Sequence, residues 1–86
     1  MPTVLIITAN GCPDCGRIKS LIHDAAEQAG QLITWKELDA DSEEAVEKAL
    51  LYGLTTVPSF VIRNKVFNTT TPSVDEIIGA FRSKIV

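Results

Sequence analysis

The sequence predicts an α/β fold with a mixed four-stranded sheet and helices on both faces. Two patterns predict it: apolar runs alternate with segments of helical period in the first half, and two further apolar runs separated by turn residues follow in the second half. The chain has 86 residues, 45% of them hydrophobic, which suits one compact domain over residues 1–86. The predicted element order is β-α-β-α-β-β-α.

The first strand and helix are the clearest elements. Thr3–Thr8 is apolar and β-branched at consecutive positions, as expected of a strand buried on both faces, and Asn10-Gly11 ends it. A helix is predicted over 13–29, with Pro13 in its first turn and Gly30 as its stop. A strand-helix-strand order implies a right-handed parallel crossover. The apolar stripe of this helix consists of Ile18, Leu21, Ile22, Ala25, Ala26 and Ala29.

The middle of the chain predicts a second strand and a short second helix. The strand is placed at Gln31–Leu38. The helix follows the acidic cluster Asp39–Glu44, where Asp41 and Glu44 have the spacing of a capping box, and it ends near Gly53. Its predicted apolar face consists of Val46, Ala49 and Leu50.

The last third predicts a β-hairpin and a final helix. Phe60–Phe67 forms the hairpin, with Asn64-Lys65 as the turn, and its strands must be antiparallel. Behind Pro72, Ser73 and Glu76 form a second capping box. The apolar positions of the final helix are Val74, Ile77, Ile78, Phe81 and Ile85.

Composition excludes several classes of partner. Eight Lys and Arg against eleven Asp and Glu give a net charge of −3, which argues against a nucleic-acid-binding surface. No apolar stretch approaches the roughly 18–20 residues that span a bilayer, and no basic residue precedes the short apolar N-terminal run. We therefore expect a cytoplasmic monomer that binds neither nucleic acid nor membrane.

The only two cysteines, Cys12 and Cys15, form a C-x-x-C motif, which is typical of redox or metal sites. Cys12 lies at the start of the first predicted helix, where free N–H groups and the helix dipole favour a thiolate. Such positions move a cysteine pKa from about 8.5 to roughly 3.5–7.5. Cys15 shares the apolar stripe with Ile18 and Ile22, so we expect it to be shielded. Cys12 is the predicted nucleophile.

A dithiol mechanism follows from this placement. Cys12 would open a substrate disulfide, and Cys15 would then release the product and leave a Cys12–Cys15 disulfide. Arg17 and Lys19 would stabilise the thiolate if their side chains reach back. Asp14 opposes them, so Asp14→Asn is expected to lower the pKa of Cys12.

Two other readings of the pair remain open. Zinc needs four ligands, and the chain offers two cysteines and His23, which lies too far along the helix to share the ion, so a zinc site would require a dimer. A binding module that retains the fold without disulfide turnover is the other alternative.

Several motifs together carry a family resemblance. They are Thr8 ahead of the loop, Cys12-Pro13-x-Cys15 with Arg17 and Lys19, Thr56-Val57-Pro58, and the hairpin around Ile62–Lys65. Over essentially its whole length the chain resembles the glutaredoxin branch of the thioredoxin superfamily. The resemblance implies a thioredoxin-like fold of glutaredoxin type, protein disulfide oxidoreductase activity, and no cofactor beyond the redox-active disulfide.

The same resemblance implies the substrate-binding residues. Val57–Pro58 would be a cis peptide bond facing the Cys12 sulfur, whereas the sequence by itself also allows a trans proline that opens a strand. The backbone of Val57 would pair with the bound substrate. The expected substrate-binding residues are Pro13, Asp14, Thr56, Val57 and Pro58.

Three departures from the family bear on the electron donor. Asp14 replaces an aromatic residue, Ala9 replaces a lysine, and the segment 68–71 (Asn-Thr-Thr-Thr) replaces a Gly-Gly pair with its acidic residue. In the family these features hold glutathione. We therefore expect disulfide-bearing protein substrates and recharging by a thioredoxin-reductase-like flavoenzyme, with glutathione as the alternative donor.

Overall fold

The computed structural model describes residues 2–82. It confirms the predicted order β-α-β-α-β-β-α. The strands are β1 (Thr3–Thr8), β2 (Thr34–Asp39), β3 (Ser59–Ile62) and β4 (Lys65–Phe67). The helices are α1 (Cys15–Gln28), α2 (Glu43–Tyr52) and α3 (Val74–Arg82).

The sheet is mixed, as predicted, with strand order β2-β1-β3-β4. β1 pairs in parallel with β2 and antiparallel with β3, and β3 pairs antiparallel with β4. The two buried strands β1 and β3 therefore lie side by side at the centre. The carboxyl end of β1 and the amino end of β3 lie side by side at the same end of the sheet, because Ile7 is opposite Ser59.

Helices cover both faces of the sheet. α1 and α3 pack on one face and α2 packs alone on the other. The buried core of the first face consists of Val4, Ile6, Ile18, Ile22, Ala25, Ala26, Phe60, Ile62, Phe67, Ile77, Ala80 and Phe81. The buried core beneath α2 consists of Ile7, Leu38, Ala45 and Leu54.

The first two element boundaries differ from prediction for local reasons. α1 begins at Cys15 rather than at residue 13, because Pro13 and Asp14 form a turn and Asp14 is the N-cap residue. β2 begins at Thr34 rather than Gln31, because its ladder with β1 starts where β1 starts, at the pair Thr3 and Thr34.

The structure corrects the predicted cap of the second helix and part of its predicted buried face. Ser42, not Asp41, is the N-cap of α2, and its hydroxyl accepts the Ala45 N–H at 3.1 Å. Ala45 is the buried residue of this helix, whereas Val46 and Leu50 are 51% and 81% exposed. Ala49, which was predicted on the buried face, is partly buried and packs with Ala45 against the core beneath α2, whereas Val46 and Leu50 face outwards.

The hairpin turns one residue earlier than predicted. Ile62 pairs with Lys65, so the turn residues are Arg63 and Asn64, both with positive φ (47° and 68°), as expected in a two-residue hairpin turn of the primed type. α3 begins after Ser73, whose carbonyl accepts the Ile77 N–H. Ile85, predicted on this helix, lies outside the described residues.

Within residues 2–82, the helices are too short or too polar for any of them to cross a membrane. The longest, α1, has 14 residues.

Candidate functional site

The cysteine pair lies where β1 leads into α1. Gly11 has φ +75°, a value that glycine adopts readily, and it lets the chain turn sharply after the strand. The Cys12 N–H donates to the Ala9 carbonyl at 3.3 Å and closes this turn. Cys12 and Cys15 form a disulfide, with their Cα atoms 5.5 Å apart.

The two sulfur-bearing residues differ in their environment. Cys15 is the first residue of α1 and is 8% exposed, beside the fully buried Ile18 on the same stripe. Cys12 lies ahead of the helix and is half-buried. An entering disulfide therefore meets Cys12 before Cys15.

The N-terminus of α1 keeps its free N–H groups near this disulfide. Asp14 has the N-cap position, but its side chain makes no capping hydrogen bond to the first turn. Its carboxylate instead accepts a hydrogen bond from Arg17 Nη2 at 3.2 Å. The unpaired N–H groups and the positive end of the helix dipole are thus available to a thiolate in the reduced protein.

The two predicted thiolate-stabilising cations already have carboxylate partners. Arg17 contacts Asp14 and also donates to the Thr70 carbonyl at 2.8 Å. Lys19 Nζ donates to Glu37 Oε1 at 2.6 Å. Their contribution to a Cys12 thiolate stays a prediction.

Glu37, on β2, connects α1 to β1 through hydrogen bonds near the loop that carries the cysteine pair. Its carboxylate accepts hydrogen bonds from Lys19 and, at 2.9 Å, from the hydroxyl of the buried Thr8. The hydrogen bond from Lys19 and then that from Thr8 lower the pKa of Glu37 below its ordinary value. This contact could not be predicted from the sequence, because the three residues lie far apart in the chain.

The loop ahead of β3 contains the predicted cis peptide bond. Val57–Pro58 is cis, which confirms the expectation drawn from the resemblance. Pro58 is buried, Val57 is 40% exposed and Thr56 is half-buried. Of the predicted substrate-binding residues, Val57 and Pro13 are therefore the most open to solvent.

Asn68 holds this loop, a role that the sequence did not predict. Its Oδ1 accepts hydrogen bonds from the Thr55 N–H (2.9 Å), the Thr56 N–H (3.1 Å) and the Thr56 hydroxyl (3.1 Å). Its Nδ2 donates to the Thr55 hydroxyl at 2.9 Å and to the Gly53 carbonyl at 3.3 Å. A single amide thus fixes the backbone that leads to Pro58.

Hydrogen bonds connect the polar segment 68–71 to two other parts of the protein. Asn68 connects it to the loop before Pro58, and Thr70 connects it to Arg17 on the first helix. Thr69 Oγ1 also accepts the Thr71 N–H at 3.1 Å. Where the family carries two glycines, this chain has a hydrogen-bonded bridge between the loop before Pro58 and the first turn of α1.

A cluster of side chains that can ligate cations lies elsewhere on α1. Among residues 2–82, His23, Asp24 and Glu27 are the His, Cys, Asp or Glu side chains that group closely enough to share an ion, with ligand atoms within 4.8 Å of one another. All three are exposed. The cysteine pair belongs to no such group in this part of the chain.

Known structures share this architecture. A structure described as a malarial protein aligns with 95% of this chain and 94% of its own, at 18% identity and a TM-score of 0.63. An uncharacterised thioredoxin-like protein from Clostridium perfringens aligns with 95% of this chain and 69% of its own (17% identity, TM-score 0.65). Oxidised thioredoxin O2 from Arabidopsis thaliana aligns with 95% and 73% (16% identity, TM-score 0.59). These likenesses show the fold.

The assignment of the chain to a family rests on a match to a family sequence model. No curated protein matches the chain. The model of the glutaredoxin family matches residues 4–67, a span that includes both cysteines and the cis proline. The thioredoxin-like fold and the Cys12–Cys15 disulfide support thiol-disulfide redox chemistry. The chain therefore belongs to the glutaredoxin family.

Proposed function

We propose that this protein reduces disulfide bonds in polypeptides through Cys12 and Cys15. The observation that carries the proposal is the asymmetry of the pair: a disulfide at the mouth of α1 in which Cys15 is buried and Cys12 is more accessible. A dithiol mechanism needs this arrangement, with an accessible attacking sulfur and a shielded resolving one.

Two exchange steps complete the reaction. The Cys12 thiolate attacks one substrate sulfur, the substrate S–S bond breaks, and the first substrate thiolate leaves and takes up a proton. The Cys15 thiol then loses its proton and attacks the Cys12 sulfur of the mixed disulfide. The second substrate thiol departs, and the protein retains a Cys12–Cys15 disulfide. The substrate gains two electrons from the two protein sulfurs. Cys15 supplies one of the two protons and water supplies the other, because Cys12 reacts as a thiolate.

A thioredoxin-reductase-like flavoenzyme is the electron donor that we propose for the return step. The residues that hold glutathione in the family are replaced here by Ala9, by Asp14 and by the segment 68–71. A cytoplasmic setting belongs to the same proposal, because protein dithiols are kept reduced there. Glutathione is the alternative donor.

Two cysteine variants test the disulfide chemistry. The prereduced protein is mixed with a polypeptide disulfide, and the released thiol is measured in a single turnover, so that no donor is needed. Cys12→Ser should abolish thiol release. Cys15→Ser, its matched control, should complete the first exchange and accumulate a mixed disulfide visible by intact mass. Cleavage by Cys12→Ser at the parental rate would refute the assignment.

The donor is tested by steady-state turnover of the same substrate. One arm contains NADPH and thioredoxin reductase, and the other contains NADPH, glutathione and glutathione reductase. We expect the first couple to sustain the faster turnover. Faster turnover with glutathione would overturn the donor assignment but leave the cysteine mechanism intact.

A further inference from the structure

A second cavity opens on the α2 face of the sheet, at the end opposite the cysteine pair. It has a volume of about 310 Å³ and lies beside Leu5, near the amino end of β1. The loop that carries Cys12 follows the carboxyl end of the same strand. Because a strand rises about 3.3 Å per residue, most of the length of β1 separates this cavity from the redox site.

The register of the sheet builds the floor of the cavity. Leu5 is opposite Lys36 on β2 and opposite Val61 on β3, so the three side chains form one row on the same face. All three line the cavity. Leu5 and Val61 therefore provide an apolar floor, with Lys36 at its border.

Polar side chains from two other segments complete the cavity. Lys48 and Tyr52 are one turn apart on α2, so they project from the same side of the helix, and both line the cavity. Arg63, in the hairpin turn after β3, lines it as well. Lys48, Tyr52 and Arg63 are all half-buried. Residues far apart in the chain are thus brought to one concavity.

The cavity concentrates positive charge on a chain that is acidic as a whole. Three of the eight Lys and Arg residues line it, although the net charge is −3, and no carboxylate of the described residues does so. Lys36 Nζ pairs with Glu44 Oε2 at 2.7 Å. Within residues 2–82, Lys48 and Arg63 form no ion pair. Two positive charges at the cavity therefore lack a neighbouring negative charge.

Arg63 also carries a donor that the described residues leave unsatisfied. Its Nε is buried and has no hydrogen-bond partner among them. Nearly all buried polar groups in proteins are paired, and a poorly hydrated cation attracts an anion more strongly than a fully hydrated one. An anion in the cavity would therefore offset the cost of burying this part of the guanidinium group.

We infer that this cavity binds a small organic phosphate. A phosphate dianion matches the two uncompensated charges of Lys48 and Arg63, and its oxygens accept charge-assisted hydrogen bonds from ammonium and guanidinium groups. The apolar part of the ligand would lie on Leu5 and Val61, beside the ring of Tyr52. The inference is independent of the proposed function, because the site lies at the other end of the sheet.

Three probes of matched design test the ligand class. Phenyl phosphate, inorganic phosphate and benzyl alcohol are each titrated into the oxidised protein at constant ionic strength and about pH 8, where the phosphate group is dianionic. Amide NMR shifts report both the affinity and the location. We expect phenyl phosphate to shift the amides of Lys48, Tyr52 and Arg63 and to leave those of Cys12 and Cys15 in place. It should bind about tenfold more tightly than inorganic phosphate, because its ring is removed from water.

Two charge-removing variants locate the phosphate group. Arg63→Gln and Lys48→Gln should each weaken phenyl phosphate binding about tenfold, since each removes a charged donor. Lys65→Gln is the matched control: it removes the same charge from the same hairpin, but Lys65 does not line the cavity, so the affinity should stay within about twofold of the parent. All three variants should reduce a polypeptide disulfide at the parental single-turnover rate.

Several outcomes would overturn the inference. They are no saturable binding of phenyl phosphate, shifts confined to the cysteine loop, and an equal loss of affinity in Lys65→Gln. Equal affinities for phenyl phosphate and inorganic phosphate would exclude an organic ligand, and comparable binding of benzyl alcohol would exclude a site for phosphate. Loss of disulfide reduction in the parent protein would instead overturn the proposed function, which these titrations do not use.

Discussion

The two faces of the sheet are covered in different ways. On the face of α1 and α3, large side chains from strands and helices are fully buried, and Phe60 stacks on Phe67 with ring centroids 4.6 Å apart. On the face of α2, the helix approaches through Ala45, and Leu50 remains in water. The same sheet is sealed on one side and left partly open on the other.

This difference separates stability from recognition. Apolar area that is already buried stabilises the fold but offers nothing to a ligand, whereas exposed apolar area contributes little to folding and is available for binding. We therefore expect substitutions of buried residues on the sealed face to lower the free energy of unfolding far more than substitutions of the exposed apolar residues of α2.

The largest expected effect is on the sealed face. Phe60→Ala removes a fully buried ring and its stacking partner contact with Phe67, and should lower the free energy of unfolding by about 3–5 kcal/mol. Leu50→Ala, on the open face, should change it by less than about 0.5 kcal/mol. Urea unfolding measures both, and Phe60→Leu serves if the alanine variant is unfolded. Similar losses of unfolding free energy in Phe60→Ala and Leu50→Ala would contradict the distinction between the two faces.

Asn68 should have the next largest effect, because hydrogen bonds rather than packing hold the loop beside the open face. Asn68→Ala removes every contact that its amide makes to Gly53, Thr55 and Thr56, and should cost about 1–2 kcal/mol while slowing single-turnover reduction of peptide disulfides.

Asn68→Asp is the matched variant for this prediction. It keeps the oxygen that accepts the Thr55 and Thr56 N–H groups and loses the donation to the Gly53 carbonyl. Its loss in unfolding free energy and rate should therefore be smaller than that of Asn68→Ala. Parental behaviour of both variants would show that the loop holds its shape without this side chain.

Glu37 provides a pH-dependent test at the edge of the sealed face. The pKa of Glu37 is lowered in the folded protein, mainly by its hydrogen bond with Lys19. Glu37 therefore stabilises the fold above its unfolded pKa of 4.5, and this stabilisation is lost as pH falls through the folded pKa. Because the pair is largely exposed, Glu37→Gln should cost at most about 1 kcal/mol at neutral pH and nothing in acid.

A double-mutant cycle checks that assignment. Lys19→Gln should cost a similar amount, and the combined variant should cost less than the sum of the two. Unfolding free energies measured from neutral to acid pH supply the comparison. A cost for Glu37→Gln that persists unchanged in acid would contradict the ion pair as its cause.

The smallest expected effect is a shift in the pKa of Cys12 at the N-terminus of α1. Asp14→Asn removes a carboxylate beside Cys12 and releases Arg17 from its contact, so it should lower the pKa of Cys12 in the reduced protein. Arg17→Gln should raise it. Thiolate absorbance followed against pH measures both, and shifts of the same sign would contradict the charge argument.

Much of the fold could be predicted because its signals are local. The apolar stripe that contains Ile18 and Ile22 is set by helical spacing, and it also places Cys15 on the buried side. The cis bond before Pro58 was expected from a motif. Gly30, with φ +69°, ends the first helix as predicted, because glycine adopts this conformation without strain.

The missed features depend on partners distant in the chain. The side of α2 that contains Ala45 faces the sheet. Helical periodicity in the sequence could not distinguish this side from the side that contains Val46 and Leu50, because the choice depends on how the helix packs on the sheet. The amide of Asn68 finds its acceptors and donors more than ten residues away. Arg17 likewise meets Thr70 across the site.

From the sequence alone come the order of the elements, the redox pair at a strand-helix junction and the buried place of Cys15, because each depends on residues within a few turns of one another. Only the tertiary structure decided the cavity lined by Lys48 and Arg63, the bridge through Asn68 and the partners of Arg17 and Lys19. Those features arise where separate segments meet, and the positions at which they meet are set by the packing of the whole sheet.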